Sequence, residues 1–281
     1  MRVIALMQVY NEADCILPCL RNRYDFMDKI IITEGLLSPF GNMPLESPDG
    51  TRERIKEWIA TLDQDHKCEL LESRRMPGKT REEMEGHNKN RMLAAARPEP
   101  GDIVHIMDGD EFYSANGLKW IIDKFRACSK LRQCWPEEMQ FAYNLKLAFP
   151  SRHGSRFLRY VKNAHFGKTN HFFHGTFDLV HDKSFIVPRE ISGVCHLCWV
   201  KRPSLIREKV ISFNRQSFTK WFNDIYLRWP STESLHKNGY AEGQHEPLQS
   251  YHGSLPKELL YQYYNWDYTA ELKEDWQKYL I

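Results

Sequence analysis

Asp102-Ile103-Val104-His105-Ile106-Met107-Asp108-Gly109-Asp110-Glu111-Phe112 is the stretch on which the reading of this chain turns. A short, mostly apolar run, bounded upstream by the turn residues Pro98 to Gly101, reads as a buried strand. It stops abruptly at three carboxylates, Asp108, Asp110 and Glu111. Carboxylates crowded at the end of a buried strand repel one another and lose hydration, and a cation among them relieves both costs. Hard divalent cations take oxygen ligands, and Mg²⁺ commonly keeps one or two carboxylates and completes its shell with water and substrate phosphates. The cluster therefore points to a metal–diphosphate site at the carboxyl end of a central strand. The plainer reading is a solvated acidic exit from the sheet.

Upstream of this strand the chain alternates. Arg2–Val9, Asp28–Thr33 and Cys68–Leu71 read as strands. Cys15–Leu20, Thr51–Leu62 and Glu82–Ala96 read as helices, and Asn116–Ala127 follows the acidic cluster as another. Four strand–helix repeats predict an α/β fold: a mostly parallel central sheet with helices on both faces. Ligands of such sheets bind beyond the carboxyl ends of the strands. Three polar clusters, Tyr10-Asn11-Glu12, Glu34-Gly35 and Asp108–Glu111, are expected to meet there.

After residue 134 the pattern changes. Met139–Phe149, Phe157–Val161 and Ser184–Val187 are strand-like, His and aromatic residues gather over His165–His181, and helices are expected over Ser204–Ile225 and Pro256–Ile281. The expected organisation is an α/β half over residues 1–134 and an α/β and helical half over 135–281 that completes the same domain.

Bulk properties narrow the classes. A net charge of +2 lacks the basic excess of a dedicated nucleic-acid binder. No apolar run approaches the roughly 20 residues that span a bilayer. Met1-Arg2 leads straight into the first strand with no signal-peptide pattern, so a cytoplasmic protein is expected. Seven cysteines at irregular spacing fit reduced thiols. Cys195-His196-Leu197-Cys198 has no second Cys-x-x-Cys to pair with, so structural zinc is not expected.

Taken together, three segments resemble the GT-A-fold glycosyltransferases of the family-2 type. Val9-Tyr10-Asn11-Glu12 resembles their opening strand end, and Asp108-Gly109-Asp110-Glu111 resembles their Asp-x-Asp motif. Between them, Asn88–Ala96 followed by Gly101-Asp102 resembles the basic helix that precedes the metal strand. A later segment, Gly193–Lys201 with Lys209–Phe213, is similar to the part of several such enzymes where a histidine on the last core strand completes the metal shell. The resemblance covers about the first 115 residues well. The family's Glu-Asp general-base motif is not recognisable in the second half, and Glu34 stands where many relatives carry an Asp that contacts uracil.

The resemblance implies a GT-A-like fold, a UDP-sugar donor and Mn²⁺ or Mg²⁺. The implied metal ligands are Asp108, Asp110 and His196, with Asp108 also able to hold the ribose hydroxyls. Tyr10, Asn11 and Glu12 would border the nucleobase and Glu34 would accept its N–H. Arg91, with Asn88 and Arg81, would meet the diphosphate from one side, and Lys201 and Lys209 from the other. Transfer with inversion needs a carboxylate to deprotonate the acceptor hydroxyl, and Asp178, then Glu190, fits by position. Trp221–Tyr226 and Tyr240–His252 are expected to cap the acceptor side. The acceptor class stays open among glycan, lipid, protein and modified nucleic-acid base. Two rivals remain: a sugar nucleotidyltransferase, disfavoured because Tyr10–Asp14 lacks glycine and lysine, and an inactive binding protein of the same fold.

Overall fold

The apolar runs flanking the acidic cluster pair as the alternation requires. The computed structural model describes residues 1–36, 44–72, 74, 79–152, 154–167, 172–174, 177–178, 184–213, 216–228, 248–260 and 266–281. Its elements begin β1 (Val3–Val9), α1 (Ile16–Arg23), β2 (Lys29–Glu34), α2 (Thr51–Thr61), β3 (Cys68–Glu72), α3 (Arg81–Ala96), β4 (Ile103–Asp108), β5 (Glu111–Phe112) and α4 (Ala115–Ala127). They continue with β6 (Gln133–Ala142), β7 (Leu147–Arg152), β8 (Phe157–Arg159), β9 (Ala164–Phe166), β10 (Phe172–His174), β11 (Phe177–Asp178), β12 (Ser184–Val187) and α5 (Arg189–Ser192). The last are β13 (Val194–Trp199), α6 (Pro203–Phe213), α7 (Gln216–Trp221), a π-helical turn over Phe222–Tyr226, β14 (Gln249–Ser250), α8 (Lys257–Leu260) and α9 (Thr269–Asp275).

The chain forms two units, each discontinuous in sequence. The first comprises Met1–Glu137 and Arg152–Val194, the second Glu138–Ser151 and Cys195–Ile281. In the first, β1 pairs in parallel with β2 and β4, and β2 pairs in parallel with β3. β8 then runs antiparallel to both β4 and β6, while β12 is parallel to β6. A separate antiparallel sheet holds β9, β10 and β11. The expectation of a mostly parallel sheet therefore holds for the strands before residue 110 and needs correcting beyond it: the fold is mixed α/β. The local reason is that each connection among β1, β2, β3 and β4 carries a helix, as parallel pairing requires, whereas β6, β7 and β8 follow one another with no helix between them.

Burial explains the parallel part. β1, β2 and β4 are buried almost continuously, as expected where both faces of a sheet are covered. One face packs Ile4, Leu6, Ile31, Val104 and Ile106 against Met92, Leu93 and Ala96 of α3. That helix starts on a capping box, with Thr80 accepting from the Glu83 N–H and Glu83 reaching back to the Thr80 N–H.

The second unit has its own aromatic core. Tyr143, Phe149, Trp199, Trp221, Phe222 and Tyr226 cluster with Ile206, Val210 and Leu272. The expected single strand Met139–Phe149 is broken where Tyr143 takes φ +65°, so β6 and β7 are separate strands. The expected helix over Ser204–Ile225 is α6, α7 and the π-helical turn in succession. Among the described residues no helix is long and apolar enough to cross a membrane.

Candidate functional site

The strand register brings the polar strand ends to one edge. Gln8 is opposite Asp108 and Val9 is opposite Glu34, so β1, β2 and β4 all end at the same level. Here the Asn11 turn and the acidic turn touch. A Cβ on Gly109 would lie 2.8 Å from Val9 Cγ1 and 3.0 Å from Glu12 Cγ, so only glycine lets the two turns approach this closely.

The turn after β1 is held by the segment that leads into α2. Asn11 adopts φ +57°, a left-handed conformation that asparagine tolerates better than most residues. The Asn11 N–H donates to Ser47 Oγ at 2.9 Å, the Glu12 N–H to Thr51 Oγ1 at 2.8 Å and the Ala13 N–H to Asp49 Oδ2 at 3.0 Å. Three successive amides are thus spent on the segment that precedes and opens α2. Tyr10 is half-buried and its hydroxyl donates to the Pro44 carbonyl.

Glu34, expected to face a base, is 0% exposed. Its Oε1 accepts the Ser47 N–H at 2.8 Å and its Oε2 lies 3.4 Å from Arg52 Nη1. Arg52 also pairs with Glu46 and Glu72, so one buried guanidinium ties β2, β3 and the loop before α2 together.

The acidic turn has internal cations that sequence reading did not single out. Arg156 Nη2 lies 2.7 Å from Asp108 Oδ2 and also binds Glu111 Oε1. Arg23 Nη2 is 3.9 Å from Glu111 Oε2, and its guanidinium sits 4.9 Å from the Tyr113 ring centroid. Glu111 is therefore a fully buried anion between two arginines. Asp108 keeps 40% of its side chain exposed, and Asp110 is buried.

One face of α1 supports this turn. Cys19 Sγ approaches the carbonyls of Asp108 and Glu111 at 3.5 and 3.4 Å. Asn22 both donates to the Tyr113 carbonyl and accepts the Tyr113 N–H. Burial pushes the Cys19 thiol up to about 12, partly offset by Arg23 and reinforced by Asp110, Glu111 and Glu12, so it stays a neutral donor. Cys19, Asn22 and Arg23 fall at i, i+3 and i+4, and that polar stripe on a helix otherwise carrying Ile16 and Leu20 is the signal that could have revealed them. Beneath lies His105, whose Nδ1 faces the Arg156 carbonyl at 3.0 Å and whose ring stacks on Phe157. Burial, then Arg23, holds it well below the usual histidine range, so it is neutral.

On α3, Asn88 is buried and accepts from Arg91 Nη1 at 3.4 Å. Burial and the like charge of Arg74 lower the Arg91 pKa. Arg81 opens the same helix. Glu190 lies exposed on α5 beside Arg189. Asp178 is in β11, its backbone paired with Phe173, but its side chain and those of His171 and His174 lie outside the described residues, as does 240–247 of the expected acceptor cap.

In the second unit, His196 on β13 is buried, and its Nδ1 is 3.3 Å from Glu138 Oε1. Lys209 Nζ donates to the Cys198 carbonyl at 3.0 Å and lies over the Trp199 ring, and Lys201 is buried. Among the described residues no disulfide is formed. Carboxylates and imidazoles are donors that first-row divalent ions accept, so Asp108 and Asp110 in the first unit and His196 in the second are each of a chemical type that can ligate a metal.

No family model matches the chain, and no curated protein matches it in sequence. Among solved structures, a mannose-6-phosphate isomerase from Helicobacter pylori is 9% identical over 58% of this chain and 62% of its own, with a TM-score of 0.33. A protein from Bacillus anthracis described as a glucose-1-phosphate thymidylyltransferase is 9% identical over 50% of this chain and 55% of its own, with a TM-score of 0.29. The chain thus spans less than two thirds of either neighbour, and likenesses of this size carry no argument about activity.

Proposed function

We propose that this chain is a metal-dependent glycosyltransferase of GT-A type that moves a sugar from a UDP-sugar to an acceptor hydroxyl with inversion. The observation that carries the reading is the meeting of the Asn11-Glu12 turn and the Asp108-Gly109-Asp110 turn at the carboxyl ends of parallel strands, packed so closely that Gly109 has no room for a Cβ. Asp108, Asp110 and His196 are the proposed ligands of Mn²⁺ or Mg²⁺. Such a cation offsets charge on the departing diphosphate. Arg91, with Asn88 and Arg81, and Lys201 and Lys209 are the proposed diphosphate contacts. Tyr10 borders the base, and Asp178, with Glu190 second, takes the acceptor proton. Asn11, Glu12 and Glu34 shape the base-binding edge in this reading, Glu34 through Ser47 and Arg52.

A sugar nucleotidyltransferase shares the substrate class but needs backbone N–H groups to cradle a triphosphate. After β1 the amides of Asn11, Glu12 and Ala13 are already committed to Ser47, Thr51 and Asp49, which disfavours that rival at this turn. The experiment follows UDP release from a panel of UDP-sugars with Mn²⁺, alongside pyrophosphate release from UTP and sugar 1-phosphates. Metal-dependent UDP release that disappears in Asp110→Asn supports the proposal. Pyrophosphate release alone assigns the chain to the rival, and neither product with intact Mn²⁺ and UDP binding assigns it to the binding class.

A further inference from the structure

β6 carries Glu138 and Gln140 two residues apart, so both project from one face of a strand whose alternate residues, Met139 and Phe141, are apolar and buried. A polar pair on a buried strand needs partners. Glu138 is 2% exposed, and its Oε1 receives the Gln140 side-chain N–H at 2.8 Å. Gln140 Nε2 also reaches Ser151 Oγ at 3.2 Å, which fixes the amide and through it the carboxylate. The same Oε1 lies 3.3 Å from Nδ1 of His196, on the strand β13 that pairs with β6.

A carboxylate oxygen accepts hydrogen bonds and does not donate them. With Glu138 ionised and already accepting from Gln140, the contact to His196 requires a proton on Nδ1. The neutral imidazole then carries its lone pair on Nε2. We propose that Glu138 is a positioning residue for His196: it holds the Nδ1–H tautomer and ring orientation, so that Nε2 is the atom presented to a divalent cation. The inference rests on the glycosyltransferase reading for the identity of that cation, but the tautomer is a property of the protein alone. A hydrogen-bonded carboxylate behind a ligating imidazole raises its basicity, and losing such a partner typically weakens metal binding about 10–100-fold.

The test has two readouts on the full chain. A long-range ¹H–¹⁵N spectrum of the metal-free ¹⁵N-labelled protein, assigned with His196→Gln, reads which ring nitrogen bears the proton. Nδ1–H in the wild type, lost or mixed in Glu138→Ala, is expected. Mn²⁺ titration with UDP present, followed by the paramagnetic signal of free Mn²⁺, should give a Kd roughly 10–100-fold weaker in Glu138→Gln, with circular dichroism unchanged. An Nε2–H tautomer in the metal-free wild type overturns the inference whatever the metal result. Equal Mn²⁺ affinity in wild type and Glu138→Gln, with a large loss in His196→Gln, overturns positioning by Glu138 while leaving the cation reading standing. Absence of Mn²⁺ binding in a wild type that shows the Nδ1–H tautomer overturns the cation reading, and with it the role assigned here to Nε2.

Discussion

Two carboxylate groups stand at the carboxyl ends of the two parallel strands that flank β1, and the protein treats them differently. At the end of β2, Glu34 is sealed, with one oxygen on the Ser47 amide and the other on Arg52. At the end of β4, Glu111 is sealed in the same way by Arg156 and Arg23, yet Asp108, sharing Arg156, keeps 40% of its side chain in solvent. An acidic strand end is thus one sequence signal with two outcomes. What separates them is solvent access: Glu34 shares Arg52 with Glu46 and Glu72 and is fully buried, whereas Asp108 shares Arg156 with Glu111 and stays open. A buried arginine turns a carboxylate into scaffold, and a carboxylate that shares its arginine and still faces solvent remains available to a ligand.

The comparison predicts which changes hurt most. Arg156→Met should be the most damaging, because it leaves Glu111 and Asp108 short of their shared cation; a loss of about 3–5 kcal/mol in guanidinium unfolding is expected. A loss below about 1 kcal/mol would mean that Arg23 alone satisfies Glu111.

Arg52→Ala strips the second cluster. Glu34 stays buried with only the Ser47 amide, and a cost of about 1–3 kcal/mol is expected in the same assay. Should UDP binding also vanish at unchanged stability, Glu34 would belong with the ligand-facing carboxylates instead of the scaffold.

Gly109→Ala pushes the acidic turn against Val9 and Glu12, whose nearest atoms leave 2.8 and 3.0 Å. Overpacking should cost about 1–2 kcal/mol, within the usual range for such insertions, together with a measurable drop in Mn²⁺ affinity. Unchanged stability and affinity would show that the two turns separate freely.

At the amino end of β4, Asp102 supplies a control. Its carboxylate accepts the N–H groups of Arg2 and Glu99 and pairs with the Arg2 guanidinium. Burial alone would raise its pKa, but these hydrogen bonds outweigh it and hold the pKa below the ordinary 3.8. A depressed acid contributes stability above its unfolded pKa, and that contribution fades as pH falls through the folded value. Asp102→Asn should therefore cost about 1 kcal/mol at neutral pH, with the gap to wild type closing below about pH 4. A gap that persists at pH 2 would assign the effect to shape instead of charge.

Much of the first half was readable because parallel strands buried on both faces write themselves as apolar runs. β1, β2 and β4, the helix α3, and the common level of the three polar strand ends all follow from periodicity and spacing, while the Thr80 cap of α3 emerged only from the structure. The reading failed where the determinant is a long-range partner. Arg23 and Arg156 look like ordinary surface cations in sequence, and only the packing of α1 against the acidic turn and the pairing of β8 with β4 make them buried counterions. Glu138 was equally hidden, since an acidic residue in a largely buried strand announces a need for a partner without saying which.

The sequence by itself determined that a buried strand ends in Asp108-Gly109-Asp110-Glu111 beside a strand ending in Tyr10-Asn11-Glu12, because local hydrophobic patterning and turn chemistry act over a few residues. Tertiary structure alone decided which carboxylates are neutralised within the protein and which face solvent, that the sheet turns mixed beyond β4, and that the chain returns to its first unit over Arg152–Val194. The physical reason is that desolvating a charge is tolerated only with an opposite charge or hydrogen-bond partner close by, and here the arginine partners of these carboxylates lie between 18 and about ninety residues away along the chain.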